Sequence, residues 1–186
     1  MKLLTHLEEA LDRERRVARK SARALYARII EASRKEYFYR NRGVPDTLDG
    51  RFELLMLHTV LVCRRLAAAA EQGIGLSQNV FDAMIDDLDV NLRELGVNEP
   101  SLGMRIKEMA RAFYGRLDAY AAALDGGHRR ALEEAVIRNL YGTVEKPVPE
   151  NVAWAADYIE RTAALFHDQD MEAARKGALR FADPAA

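Results

Sequence analysis

The sequence has one cysteine, few glycines and prolines, and no long apolar run. The single Cys63 excludes an intramolecular disulfide, and its apolar neighbours indicate a small buried side chain rather than a nucleophile. Only 11 glycines and 5 prolines occur, and no stretch alternates polar with β-branched residues, so signals for strands and hairpins are missing. The most apolar stretch, 54–62, contains His58 and Thr59 and is shorter than the roughly 20 residues that span a bilayer. We therefore expect an all-α protein that is soluble or peripheral to a membrane.

The sequence also lacks an excess of positive or negative charge. The 28 lysines and arginines balance 29 aspartates and glutamates, and the net charge of -1 gives no bulk electrostatic reason to expect a nucleic-acid-binding protein. We expect no sequence-specific contact with nucleic acid. Glu8, Glu9 and Asp12 come too early for the apolar region of a secretory signal, which indicates a cytoplasmic location.

Apolar residues at helical spacing organise the chain into one domain of 186 residues. They predict a bundle of about six helices, in which the first is long and the second, 50–72, is central. Gly73 and Gly75 are expected to separate the second helix from the third. We divide the chain into a basic, partly projecting helical extension at 1–20, a helical domain at 21–181 and a disordered tail at 182–186.

An acidic face is the first candidate for chemistry. Asp82, Asp86 and Asp89 lie at i, i+4 and i+7 of one predicted helix and are ligand types for a hard cation. A helical di-iron site would also need Glu-x-x-His pairs, and the sequence contains none. We interpret the three aspartates as a solvated or salt-bridged face, and we expect no metal and no cofactor.

His58 is the second candidate because it lies in the most apolar helix. It has two interpretations, a core histidine with satisfied hydrogen bonds or a haem ligand, and the absence of Cys-x-x-Cys-His favours the first. The sequence also lacks Gly-x-Ser-x-Gly and a glycine-rich phosphate loop. We therefore expect that the protein is not an enzyme, with haem handling as a remaining alternative.

A basic run near the N terminus is the strongest electrostatic feature. A solvated helix is its simplest interpretation. Attraction to an anionic surface, such as lipid headgroups or ribosomal RNA, is the functional one, and nearby acidic residues weaken it. The basic residues are Arg13, Arg15, Arg16, Arg19, Lys20 and Arg23.

Gly115 stands inside an amphipathic helix, where it costs about 1 kcal/mol relative to alanine. Two explanations are open. Another helix approaches closely at Gly115, or Phe113 and Tyr114 border a shallow groove that accepts an apolar guest.

Arg51 stands at the beginning of the central apolar helix. An unpaired guanidinium is costly to bury, so we expect Arg51 to form an ion pair, either structural or facing a ligand. On that basis Arg51→Ala should destabilise the protein more than Arg19→Ala.

The segment around Arg51 ends one helix and starts another. Gly43 can adopt the left-handed conformation that closes a helix, and Pro45 prevents its continuation. Asp46, Thr47 and Asp49 each have a short side-chain oxygen that can cap the next helix. Local rules do not require the charged residues that follow inside the apolar helix, so the segment has the character of a family signature.

Four motifs, in this order along the chain, indicate a resemblance to a known family. They are FYRNRGVPDTLDGRFELL at 38–55, FD at 81–82, LRELGV at 92–97 and KEMARAFYGR at 107–116. Together they resemble the ubiquinol–cytochrome c reductase chaperone family, and the chain is similar to a bacterial member.

The resemblance implies a non-catalytic chaperone for assembly of the cytochrome bc1 complex. Mitochondrial members act with a small partner to receive newly made cytochrome b near the ribosomal exit, which implies nascent or unassembled cytochrome b as the partner here. A ribosome- or membrane-associated scaffold at the cytoplasmic face of the inner membrane is the alternative, and the oligomeric state stays open. The signature positions, expected to include the client-binding surface, are Asp46, Asp49, Arg51, Glu53, Asp82, Arg93, Glu94, Phe113, Tyr114 and Arg116.

Overall fold

Eight helices form the part of the chain that the structure describes. The computed structural model describes the backbone of residues 2–186 and the side chains of 12–69 and 73–186. The helices are α1 (Lys2–Ser33), α2 (Glu36–Arg40), α3 (Leu48–Ala67), α4 (Ala70–Glu94), α5 (Glu99–Asp125), α6 (Arg129–Arg138), α7 (Pro149–Asp168) and α8 (Met171–Arg175). No strand occurs within residues 2–186. The predicted all-α bundle with a long first helix is confirmed, and α2 and α8 are five-residue additions to it.

Helix α3 is the centre of the bundle. Thr47 caps its start, accepting a hydrogen bond from the backbone N–H of Gly50 at 3.2 Å. Leu54, Val60 and Leu66 are fully buried, because α3 packs against α1, α4, α5 and α7. Enclosure by four helices explains why its sequence is apolar on most sides.

The turn between α3 and α4 lies earlier than predicted. The chain turns at Ala68 and Ala69, and Gly73 and Gly75 are inside α4. Gly73 does not break the helix as expected. A Cβ at this position would overlap the carbonyl oxygen of Leu66. The glycine therefore allows α4 to start directly against the end of α3.

Helix α1 joins the bundle in its second half. Ala22, Leu25 and Ile29 are buried, and the Tyr26 hydroxyl donates to Asp87 Oδ2 of α4 at 2.8 Å. From 12 to 20 the side chains are exposed except for the half-buried Ala18. Residues 1–11 of the predicted extension lie outside the described side chains. Within the described part, no helix is both long enough and apolar enough to cross a membrane.

The C-terminal residues are packed, whereas the sequence predicted disorder from residue 182. Gln169 binds both backbone groups of Arg180, accepting from its N–H at 2.8 Å and donating to its carbonyl at 2.9 Å. Phe181 then lies 5.0 Å from the ring of Phe166, and Pro184 is buried. Arg161 of α7 also donates to the carbonyl oxygen of Asp183 at 3.3 Å, so tertiary contacts hold a tail that has no local structural signal.

Candidate interaction surfaces

A shielded ion pair joins α3 to α5. Arg116 binds Glu53 through two nitrogens, with Nε 2.8 Å from Oε2, and its Nη1 donates to the carbonyl of Ala112 at 3.0 Å. The two side chains are only 16% and 14% exposed. Every nitrogen of the guanidinium therefore donates a hydrogen bond, and the ion pair fixes the position of α5 against the central helix.

Arg51 forms the expected ion pair at the entry to α3, but the pair is exposed and not buried. Arg51 is 62% exposed and donates from Nε to Asp46 Oδ1 at 2.7 Å, across the turn that precedes α3. The hydrogen bond from Arg51 lowers the pKa of the Asp46 carboxyl. Because a helix rotates by about 100° per residue, Glu53 points toward α5 and Arg51 points to solvent. The buried signature pair is therefore Glu53 with Arg116.

The other charged signature residues lie at separate places. Asp49 is exposed in the first turn of α3, near the capping Thr47. Asp82 accepts from Gln78 within α4, and Glu94 is exposed at its end. Arg93 binds Asp89 at 2.7 Å and also pairs with Glu99, so it links α4 to the start of α5. The structure therefore does not unite the signature positions into one surface.

The acidic face of α4 is partly paired and partly exposed. Asp89 pairs with Arg93, while Asp82 and Asp86 are exposed. Among the described side chains, no three His, Cys, Asp or Glu residues are arranged to hold a metal ion.

The two aromatic signature residues have different environments. Phe113 is a core residue, 4.9 Å from the ring of Phe81, and is not the exposed anchor that the sequence predicted. Tyr114 is 46% exposed and lies 5.4 Å from Phe81. Only Tyr114 is therefore accessible to a partner.

The surroundings of Gly115 exclude one of its two explanations. A Cβ placed there would meet nothing within 4 Å, so none of the described helices approaches closely. The close-approach explanation is wrong, and the exposed backbone at Gly115 has no internal function in the described structure.

His58 is a core histidine with both ring nitrogens occupied. Nδ1 lies 2.7 Å from the carbonyl oxygen of Leu54, which can only accept, so Nδ1 carries the proton. Nε2 then accepts from the Tyr158 hydroxyl at 2.8 Å. The imidazole has no free lone pair for haem iron, which removes the observation that favoured haem handling.

We expect His58 to make stability depend on pH. Burial lowers its pKa from 6.5 to about 4, so the unfolded chain takes up a proton at a higher pH than the folded protein does. The contribution is complete above pH 6.5 and is lost as pH falls through about 4, at up to about 1.4 kcal/mol per pH unit. Urea denaturation between these limits measures the slope.

His58→Gln should flatten that slope, because the side chain that replaces the imidazole does not titrate in this range. Parallel stability curves for the wild type and His58→Gln would contradict this assignment.

A groove of about 800 Å³ opens between α3, α5 and α7. Its charged residues bind within the protein: Arg64 pairs with Asp125, and Arg65 donates to the carbonyls of Phe166 and Gln169 at the end of α7. Glu160, on the rim, accepts from Arg129 at 2.8 Å. The remaining lining is mostly apolar and small, comprising Ala67, Ala68, Leu117, Ala121, Leu124, Ala163 and Ala164, with His167 at the rim. Sequence reasoning missed this groove.

The basic residues of α1 between positions 13 and 23 are exposed. Arg15 lies 3.8 Å from Asp12, and both side chains are more than 70% exposed. Residues 12–23 include six basic and two acidic side chains, so this segment has a net charge of +4. The structure thus keeps Arg13, Arg15, Arg16, Arg19, Lys20 and Arg23 accessible.

Comparisons with known proteins relate these features to a family. The sequence profile of the ubiquinol-cytochrome C chaperone family matches residues 40–181, a range that contains every signature position and excludes the basic segment of α1. Ubiquinol-cytochrome-c reductase complex assembly factor 1 of Xenopus laevis is 20% identical over 152 residues, covering 82% of this chain and 75% of the relative. The crystal structure of the Cbp3 homolog from Brucella abortus superposes with a TM-score of 0.83 at 31% identity, covering 96% and 98% of the two chains.

Proposed function

Because the chain belongs to the ubiquinol-cytochrome C chaperone family, we propose that it is a non-catalytic assembly chaperone of the cytochrome bc1 complex whose client is newly made or unassembled cytochrome b. One observation carries the proposal, the family match from residue 40 to 181. The relative from Xenopus laevis is named as an assembly factor of the same reductase complex, which agrees with this role. The proposal assigns no catalytic step, metal or cofactor to the protein.

The groove between α3, α5 and α7 is our candidate for the client-binding site. An unassembled membrane protein exposes apolar helices, and burial of one leucine-sized side chain contributes about 1.5–3 kcal/mol. The alanines of the groove leave room for such side chains, and its charged groups are paired within the protein. An apolar segment can therefore enter without leaving a lysine or arginine of the groove unpaired.

We expect the protein to bind peptides copied from cytochrome b transmembrane helices and to reject a scrambled soluble helix of equal charge. Ala164→Arg should weaken this binding by about tenfold or more, because the long side chain occupies the groove. Fluorescence anisotropy of a labelled peptide measures the affinity.

Ala131→Arg is the matched control, since Ala131 is an exposed helical alanine on α6, outside the groove lining. Equal binding of the two peptides would exclude client recognition, and normal binding by Ala164→Arg would exclude the groove.

A second candidate function is attachment to an anionic surface through α1. The charged side chains from 12 to 23 are exposed and have four excess positive charges, and each Lys or Arg near an anionic membrane contributes on the order of 1 kcal/mol. This proposal locates the chaperone at the cytoplasmic face of the inner membrane, or at the ribosome if RNA is the preferred surface.

We expect the protein to sediment with vesicles that contain anionic lipid, and changing Arg16, Arg19 and Lys20 to glutamate should abolish sedimentation. Vesicles of neutral lipid are the control. Retention of the triple variant on anionic vesicles would refute attachment through α1, and binding to ribosomes alone would select ribosomal RNA as the surface.

A further inference from the structure

Eight of the 11 glycines are explained by contacts or backbone angles within the chain. Four have positive φ, which favours glycine, namely Gly43, Gly96, Gly127 and Gly177. At four others a Cβ would meet a backbone oxygen of this chain at 3.1 Å or closer, namely Gly50, Gly73, Gly126 and Gly142. In these eight places a larger residue would be strained or would clash.

The remaining glycines are Gly75, Gly103 and Gly115, where a Cβ would meet nothing within 4 Å. Gly75 and Gly103 lie in the first two turns of α4 and α5, where helix ends fray. Gly115 lies in the middle of α5, where glycine weakens a helix relative to alanine. No contact with the described residues offsets that effect.

The outer face of α5 around Gly115 also has charges without internal partners. The side chains of Arg111 and Asp118 are both exposed, and neither forms an ion pair or hydrogen bond with another residue in the described part of the chain. They precede and follow Gly115 by four and three residues, on the same side of the helix. Met104 and Ala122 are exposed on this side as well.

This pattern is self-complementary. When two copies of α5 cross in antiparallel orientation near Gly115, a two-fold axis brings Arg111 of each copy opposite Asp118 of the other. The glycine allows the two backbones to approach, because helix separation depends on the side chains at the crossing point. An entirely apolar client helix fits this face poorly, since it would cover both charges without pairing them.

We propose that the outer face of α5, defined by Met104, Arg111, Gly115, Asp118 and Ala122, binds a second copy of this chain. The dimer is isologous and antiparallel at α5, with two Arg111–Asp118 ion pairs around the Gly115 crossing. The groove between α3, α5 and α7 lies on a different side of α5, at Leu117, Ala121 and Leu124, and remains open to a client.

Sedimentation equilibrium of the full chain tests the proposal. We expect a concentration-dependent dimer for the wild type, and Gly115→Leu should weaken dimerisation by about tenfold or more. At concentrations where both proteins are monomeric, the variant should have an unchanged thermal midpoint, because the added side chain meets nothing within its own chain. Gly75→Leu is the matched control at another open glycine, and it should dimerise like the wild type.

A charge exchange gives an independent test. Arg111→Asp and Asp118→Arg should each weaken the dimer, since each creates two like-charge contacts, and the double variant should restore it. A monomeric wild type, normal dimerisation of Gly115→Leu, or no rescue by the double variant would overturn the proposal. If the wild type is monomeric and Gly115→Leu loses binding of the cytochrome b peptide, the proposal is also overturned. The outer face of α5 would then bind the client and not a second copy.

Discussion

Arg116→Ala is expected to lower the free energy of unfolding by about 3–5 kcal/mol, because it leaves the carboxylate of Glu53 shielded from water and without its partner. The two side chains are bound through two hydrogen bonds and join α3 to α5, so the loss also loosens contact with the central helix. Urea denaturation followed by circular dichroism measures the change.

Two further variants separate this explanation from a general effect of removing charge. Arg51→Ala should change stability little, since Arg51 faces solvent. Replacing the buried pair together, as Glu53→Met with Arg116→Leu, should recover most of the lost stability, because no unpaired charge remains. Equal destabilisation by Arg116→Ala and Arg51→Ala would contradict the structure at this site.

Gly50→Ala should destabilise the protein by about 3 kcal/mol or more. A Cβ at residue 50 would overlap the carbonyl oxygen of Pro45 and lie 3.0 Å from its carbon. The segment before α3 would then have to move, which disturbs the buried Val44 and the capping bond from Gly50 to Thr47. The thermal midpoint should fall accordingly.

The same substitution at Gly115 should have the opposite sign. Gly115→Ala should stabilise the folded monomer by about 1 kcal/mol, because within one chain the methyl group meets open space and the helix gains propensity. For a chain of this size that corresponds to roughly 2–4 °C in the thermal midpoint. A stable Gly50→Ala variant would show that the turn before α3 is looser than the structure indicates.

The helices and much of the core follow from local patterns in the sequence. The three- and four-residue spacing of apolar positions predicts the bundle, and Thr47 caps α3 as its short side chain suggests. His58 is also predictable as a core residue, because its neighbours are apolar and no second metal ligand accompanies it.

The choice between Arg51 and Glu53 as the buried charge is not predictable in this way. It depends on the residue at which α3 begins and on a partner, Arg116, that is 63 positions away in the sequence. Phe113 and Tyr114 present the same difficulty, since adjacent helical residues point about 100° apart and the packing of α4 decides which one is covered.

The groove gives no signal in the sequence. Its alanines come from α3, α5 and α7, and alanine is common in any helix because of its high propensity. Only the tertiary arrangement brings them together and pairs the charges around them. Phe181 is similar, because its burial near Phe166 depends on how the chain returns after α8.

The two proposed surfaces differ in how their charged side chains are paired. In the groove, Arg64, Arg65 and Glu160 are bound within the protein, which suits an apolar client. On the outer face of α5, Arg111 and Asp118 are unpaired among the described residues, which suits a partner with complementary charge. Client binding and self-association can therefore be changed by separate mutations.

The most direct test of the assembly function is the amount of mature cytochrome bc1 complex in cells that lack this gene. We expect the complex and its cytochrome b absorbance to be lost while the cytochrome b transcript persists. Expression of the wild type or Ala131→Arg should restore both, and Ala164→Arg should not. A normal amount of active bc1 complex in the deletion strain would contradict the proposed function.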